Sequence, residues 1–118
     1  MKQLLFYAWM LLVFTQISAQ SITITESSGW VESAFVKWLP VDGVDSYNVY
    51  YSGGGITNQI IDTQLIRNYG SYYRADVLGI STGTYTIKIV PVTANIEGLA
   101  TVSNSITVTA HDRNGFAH

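Results

Sequence analysis

The chain of 118 residues contains no cysteine. That excludes a disulfide scaffold, a cysteine nucleophile, a lipoprotein-type cysteine anchor and thiolate zinc sites. Charge is scarce: Asp, Glu, Lys and Arg make up 12% of the residues, with a net charge of −2. A nucleic-acid binder shows a basic face, so this balance argues against one. The two histidines, His111 and His118, both lie beyond the last predicted strand. A general base needs a held geometry and an orienting partner. A tail supplies neither, even with Asp112 beside His111, so no catalytic residue is assigned. No G-x-S-x-G elbow and no Asn-x-Ser/Thr sequon occurs. The length also excludes a barrel enzyme of about 200 residues or more.

Long hydrophobic runs are absent with one exception, Leu4–Phe14, eleven apolar or aromatic residues. Lys2 precedes it, and Ile17-Ser18-Ala19 places a small residue at a cleavage position, the order of a secretory signal peptide. Eleven residues at 1.5 Å each span only about 16 Å, half a hydrocarbon core. Residues 1–19 are therefore expected to be removed, leaving 99 residues of net charge −3 that begin at Gln20. The expected location is periplasmic or extracellular, with no membrane segment after cleavage.

From residue 21 onward the pattern is alternation of period two, broken by Gly, Asn, Asp and Ser. Seven strands are predicted: 21–26, 33–39, 46–51, 59–62, 72–78, 84–92 and 103–109. Ala34, Val36 and Trp38 share a face, as do Tyr47, Val49 and Tyr51, and Tyr85, Ile87 and Ile89. Turn signals stand between the strands, at Asp42-Gly43, Gly53-Gly54-Gly55, Asn68-Tyr69-Gly70 and Ser81-Thr82-Gly83 among others. Seven short strands at this spacing predict an all-β, two-sheet antiparallel sandwich over residues 20–110. Pro91 falls inside a strand, which demands an edge position or a bulge. Residues 111–118 lose the alternation and read as a tail or linker.

Two aromatics narrow the sandwich further. Trp38 ends the second predicted strand, where its indole lies between the sheets and its N–H requires a partner. Tyr85 follows Ser81-Thr82-Gly83-Thr84, so its hydroxyl can bond back to that loop as a tyrosine corner. With Tyr47-Asn48-Val49-Tyr50-Tyr51, these residues resemble a fibronectin type III domain, an Ig-like seven-stranded sandwich. The resemblance implies a core of Trp38, Tyr85, Val36, Val49 and Ile87. The family's leucine, six residues before the corner tyrosine, is replaced by Gly79, so Leu78 or Ile80 must fill its place. More narrowly, the signal, this module and the stretch Val108–Ala117 are similar to the N-terminus of secreted pectate lyases from Bacteroidota. That resemblance implies a non-catalytic leading module whose catalytic domain is not among these residues, with no cofactor of its own.

Binding residues are sought among exposed aromatics. Tyr69 and Tyr72 beside a turn can stack on sugar rings, and Arg74 can pair a uronate carboxylate. Trp30 is a second platform, or else a cover for one open end of the sandwich. In the simpler alternative Tyr73 enters the core while Tyr72 packs across the sheet surface. Asp42 and Asp45, two carboxylates around Gly43, read as a turn rather than a calcium loop. Asp62, Asp76 and Glu97 read as isolated solvated acids. The expected role is a spacer or interaction module at the front of a polysaccharide-degrading enzyme. The alternative is a carbohydrate-binding module. The expected partners are a pectin-like polysaccharide or an adjacent catalytic domain, and the expected state is monomeric.

Overall fold

A computed structural model describes residues 21–110. The predicted signal segment, His111, Asp112, His118 and the rest of the tail lie outside the described residues. Within them the alternation becomes ten strands. These are β1 (Ile24–Trp30), β2 (Ser33–Trp38), β3 (Ser46–Gly53), β4 (Ile56–Ile60), β5 (Ile66–Asn68), β6 (Tyr73–Leu78), β7 (Gly83–Thr93), β8 (Ile96–Glu97), β9 (Thr101–Val102) and β10 (Ile106–Val108). One sheet has the order β1-β2-β6-β5. The other runs β10-β7-β3-β4, with β8 and β9 also paired to β7. The named strand pairs are antiparallel, as the fold class required. A parallel bridge, Val31 to Thr109, ties the end of β1 to the other sheet.

The count of seven is thus corrected to ten, for two physical reasons. β5 is three residues long, too short to display alternation, and exists through its pairing with β6. β8 and β9 form within residues 96–102, ahead of the final predicted strand (103–109), which holds β10 alone; all three lie on one flank of β7, with breaks between them. Pro91 sits opposite the first of these breaks. Its carbonyl accepts from Gly98 N–H at 2.7 Å, and it falls between the β8 pairing at Val92 and the β9 pairing at Ile89. A residue without an N–H is thereby placed where the neighbouring strand lapses, in an otherwise central strand. Ser103 closes the same flank. Its hydroxyl accepts from Ile87 N–H at 2.9 Å and its N–H donates to the Ile87 carbonyl at 2.8 Å.

Trp38, Tyr85, Val36, Val49, Ile87 and Ile89 are all buried, each contributing about 1.5–3 kcal/mol by leaving water. Trp38 stacks on Tyr73 (5.6 Å, 12°) and meets the ring of Tyr47 edge-on at 5.3 Å. The expected partner for its N–H is not found: the indole nitrogen is buried without an acceptor among the described residues. The Tyr47 hydroxyl instead accepts from Val41 N–H at 2.9 Å, and burial pushes its pKa up.

The tyrosine corner forms as the sequence implied. The Tyr85 hydroxyl donates to the Ser81 carbonyl at 2.8 Å. The glycine tract turns out to serve this residue. A Cβ on Gly53 would stand 2.5 Å from the Tyr85 ring, and one on Gly54 would stand 2.5 Å from its hydroxyl. At the substituted leucine position, Ile80 is 5% exposed and Leu78 is 60% exposed. Gly79 turns between them at φ +69°, so Ile80 takes the leucine's place.

Candidate functional site

β2 and β6 lie side by side in the first sheet, with Phe35 opposite Asp76 and Lys37 opposite Arg74. Pleating sends Ala34, Val36 and Trp38 inward, and so turns Ser33, Phe35 and Lys37 to the outer face. Pairing with β1 sets Glu26 beside Lys37, and pairing with β5 sets Arg67 beside Arg74. One row across the outer face therefore reads Glu26, Lys37, Arg74, Arg67.

Two of these cations are already engaged. Lys37 Nζ lies 3.2 Å from Glu26. Arg74 donates to Asp76 through Nη2 at 3.0 Å and Nε at 3.2 Å, and its guanidinium lies 4.1 Å over the Phe35 ring. The hydrogen bond to Asp76 raises the pKa of Arg74 further. Arg67 makes no ion pair among the described residues.

The β5–β6 hairpin carries the tyrosines. Tyr69 N–H donates to the Tyr72 carbonyl at 2.9 Å, so the loop is Gly70-Ser71. Gly70 has φ +90°, in the left-handed region that favours glycine. Asn68 accepts from Gly70 N–H at 2.8 Å and donates to the Tyr73 hydroxyl at 3.1 Å, which ties the loop to β6. The rings of Tyr69 and Tyr72 stack at 4.9 Å and 19°. Lys37 Nζ lies 5.2 Å from the Tyr72 centroid, and Tyr69 is 50% exposed.

The fold thus brings Tyr69, Tyr72 and Arg74 together and leaves Trp30 apart. Trp30 pairs with Ser33, four residues along β2 from Lys37 and therefore about 13 Å distant along the strand. It also sits on the opposite edge strand from Tyr69. It is 73% exposed, so it does not cover an end of the sandwich. β1 crosses to β10 at this point, and the chain's close approach there leaves the indole outside. Arg67 was missed in the sequence. It was legible only through the turn: a two-residue loop at Gly70-Ser71 puts Tyr69 opposite Tyr72 and, counted outward, Arg67 opposite Arg74.

The acids read as isolated are all employed. Asp76 clasps Arg74. Asp62 accepts from Gln64 N–H and caps a turn of 3₁₀-helix. Glu97, on the outer face of the second sheet, accepts from Asn48 at 2.9 Å and from the Tyr50 hydroxyl. These bonds lower the Glu97 pKa and raise that of Tyr50. In the Asp42-Gly43-Val44-Asp45 segment, Gly43 turns at φ +82°. Asp45 accepts from Ala94 N–H at 2.8 Å, capping the β7–β8 hairpin. Among the described residues no three His, Cys, Asp or Glu side chains converge. A shallow open hollow lies at Ser21, Thr23, Leu39, Pro40, Val41 and Asp42, at the end of β2 that pairs with Tyr73.

No protein-family model matches the chain, and no curated protein does. Solved structures match its fold. A β-1,2-glucanase from Parabacteroides distasonis aligns over 81% of this chain at 22% identity and TM-score 0.52. The chain spans only 14% of that protein's length. An Fn3-like protein from Clostridium thermocellum aligns over 80% of this chain and 97% of its own, at 23% identity and TM-score 0.50. Murine CRIg aligns more distantly, at 9% identity and TM-score 0.39, over 79% of this chain and all of its own.

Proposed function

We propose that this fibronectin type III-like sandwich is a non-catalytic spacer module of a larger secreted, polysaccharide-degrading protein. One observation carries the reading: the described chain enters and leaves at opposite poles. At the entry, Leu39 N–H donates to the Thr23 carbonyl. β1 then runs the length of the sheet, its seven residues covering about 20 Å. At the exit, Thr109 N–H donates to the Trp30 carbonyl at 3.1 Å, and Glu32 N–H donates to Thr109 at 2.8 Å. A rigid body threaded this way sets both distance and orientation between whatever adjoins its two ends. A pectate lyase is the specific host that the sequence resemblance favours. The glucanase, in which a similar fold occupies a small part of a long chain, supports the general class.

The alternative role, carbohydrate binding, is favoured by the exposed Tyr69–Tyr72 stack at a hairpin tip. Monomeric behaviour is supported by the way the edge strand β4 is blunted. Asn58 bulges at φ +48°, and Gln59 Nε2 covers the Ile60 carbonyl at 3.1 Å. The test of the spacer reading has two parts. The reading frame beyond the codon for His118 should continue into a catalytic domain. The purified chain should release no product from polygalacturonate or β-1,2-glucan. An immediate stop codon, or cleavage by this chain alone, overturns the reading.

A further inference from the structure

The outer face of the β1-β2-β6-β5 sheet concentrates positive charge on an acidic protein. Lys37, Arg67 and Arg74 share it, leaving Lys88 as the remaining described cation. Glu26 and Asp76 neutralise Lys37 and Arg74. Among the described residues one guanidinium is left without an ion pair, that of Arg67, on the strand that leads into the half-exposed ring of Tyr69. We propose that Arg67 and the Tyr69–Tyr72 stack form a binding site for a carboxylated glycan, a polymer of uronic acid residues. This inference rests on the carbohydrate-binding alternative above and names its ligand class and its anion-binding residue.

The chemistry selects that class. An exposed tyrosine stack offers a flat apolar surface and phenol hydroxyls, suited to the C–H face and ring hydroxyls of a sugar. A single free guanidinium matches one planar carboxylate through paired N–H donors. Nucleic acid is held mainly through many phosphate contacts to free cations, whereas two of the three cations on this face are occupied and the third stands beside an aromatic surface. Arg74, the residue that the sequence suggested for the carboxylate, is held by Asp76 through two nitrogens and lies 4.1 Å over Phe35. Arg67 stands directly opposite it in register, so a ligand on Tyr69 meets Arg67 first.

Calorimetric titration of the purified protein tests this with three probes: oligogalacturonate, a neutral β-glucan oligomer and poly-glutamate. Oligogalacturonate is expected to bind with an affinity that falls as salt rises. Arg67→Gln and Tyr69→Ala should each weaken it about tenfold or more. Lys88→Gln, on the other sheet, should leave it unchanged. Melting curves confirm that each variant is folded. Equal binding of poly-glutamate, or equal loss in Lys88→Gln, would show diffuse charge attraction and overturn the site. Binding of the neutral glucan alone, insensitive to Arg67→Gln, would overturn the uronate assignment while the carbohydrate-binding reading stood. No heat with any probe at millimolar sugar would remove both.

Discussion

Gly29 offers the sharpest test of how this sandwich is closed. It lies in β1 outside the left-handed region, so its backbone accepts alanine without torsional cost. On entropy alone, Gly29→Ala would stabilise the protein by about 0.4–1 kcal/mol. Space decides otherwise. A Cβ at this position stands 1.7 Å from the Thr107 carbonyl oxygen and 2.6 Å from its carbon. An ordinary C···O contact is longer by about 1.5 Å or more, and the obstacle is backbone, which cannot swing aside. β1 and β10 must separate. That endangers the Thr109-to-Trp30 and Glu32-to-Thr109 bonds, worth about 0.5–1.5 kcal/mol each. It also strains the seating of buried Ile106 and Val108, an overpacking cost of about 1–3 kcal/mol. The net expectation is a loss of about 2–4 kcal/mol. Urea unfolding followed by tryptophan fluorescence measures it. Gly55→Ala is the matched comparison, since Gly55 has φ +84° and open space around it. Its cost should be about 1–2 kcal/mol, from backbone conformation alone. If Gly29→Ala unfolds within about 0.5 kcal/mol of the parent protein, the close approach of β1 to β10 does not exist in solution.

Three further outcomes are expected. Trp38→Ala should cost about 3–5 kcal/mol in thermal unfolding followed by circular dichroism, because the indole is fully buried and packed against two tyrosine rings. An unchanged melt would remove Trp38 from the core. Ile80→Ala should cost about 2–5 kcal/mol and Leu78→Ala under about 0.5, since Ile80 is the buried neighbour of Gly79; the reverse order would mean that the register is shifted. Glu97 has a folded pKa below its ordinary 4.5, held there by Asn48 and Tyr50. Its contribution to stability is therefore complete above the unfolded pKa and is lost as pH falls through the folded one. Urea midpoints measured from neutral pH down to pH 3 should fall less steeply in Glu97→Gln than in the parent, and parallel curves would exclude the contribution.

The architecture was legible wherever one face of a strand is buried. Val36 and Trp38, Val49, and Tyr85 with Ile87 alternate with polar residues because burial on one side of a pleated strand imposes a period of two. The tyrosine corner was legible because both partners, Ser81 and Tyr85, lie four residues apart in one local segment. The short strands were not legible. β8 and β9 have two residues each, and a pattern needs more length than that to show itself. The candidate face was half legible. Tyr69, Tyr72 and Arg74 cluster within one stretch of chain, but Arg67 reaches them only through hairpin register. That Arg74 is taken by Asp76 while Arg67 has no ion pair among the described residues depends on which side chains meet.

From its sequence alone this protein is all-β, built as a sandwich around an indole and a phenol. Those properties follow from local alternation and from how much apolar surface each strand must hide. The tertiary structure alone decided that Gly29 must be bare and that Ile80 replaces a leucine. It also decided that Trp30 stays outside and that, of the described arginines, Arg67 is the one without an ion pair. Each of these depends on the distance between segments far apart in the chain, a quantity that no local pattern encodes.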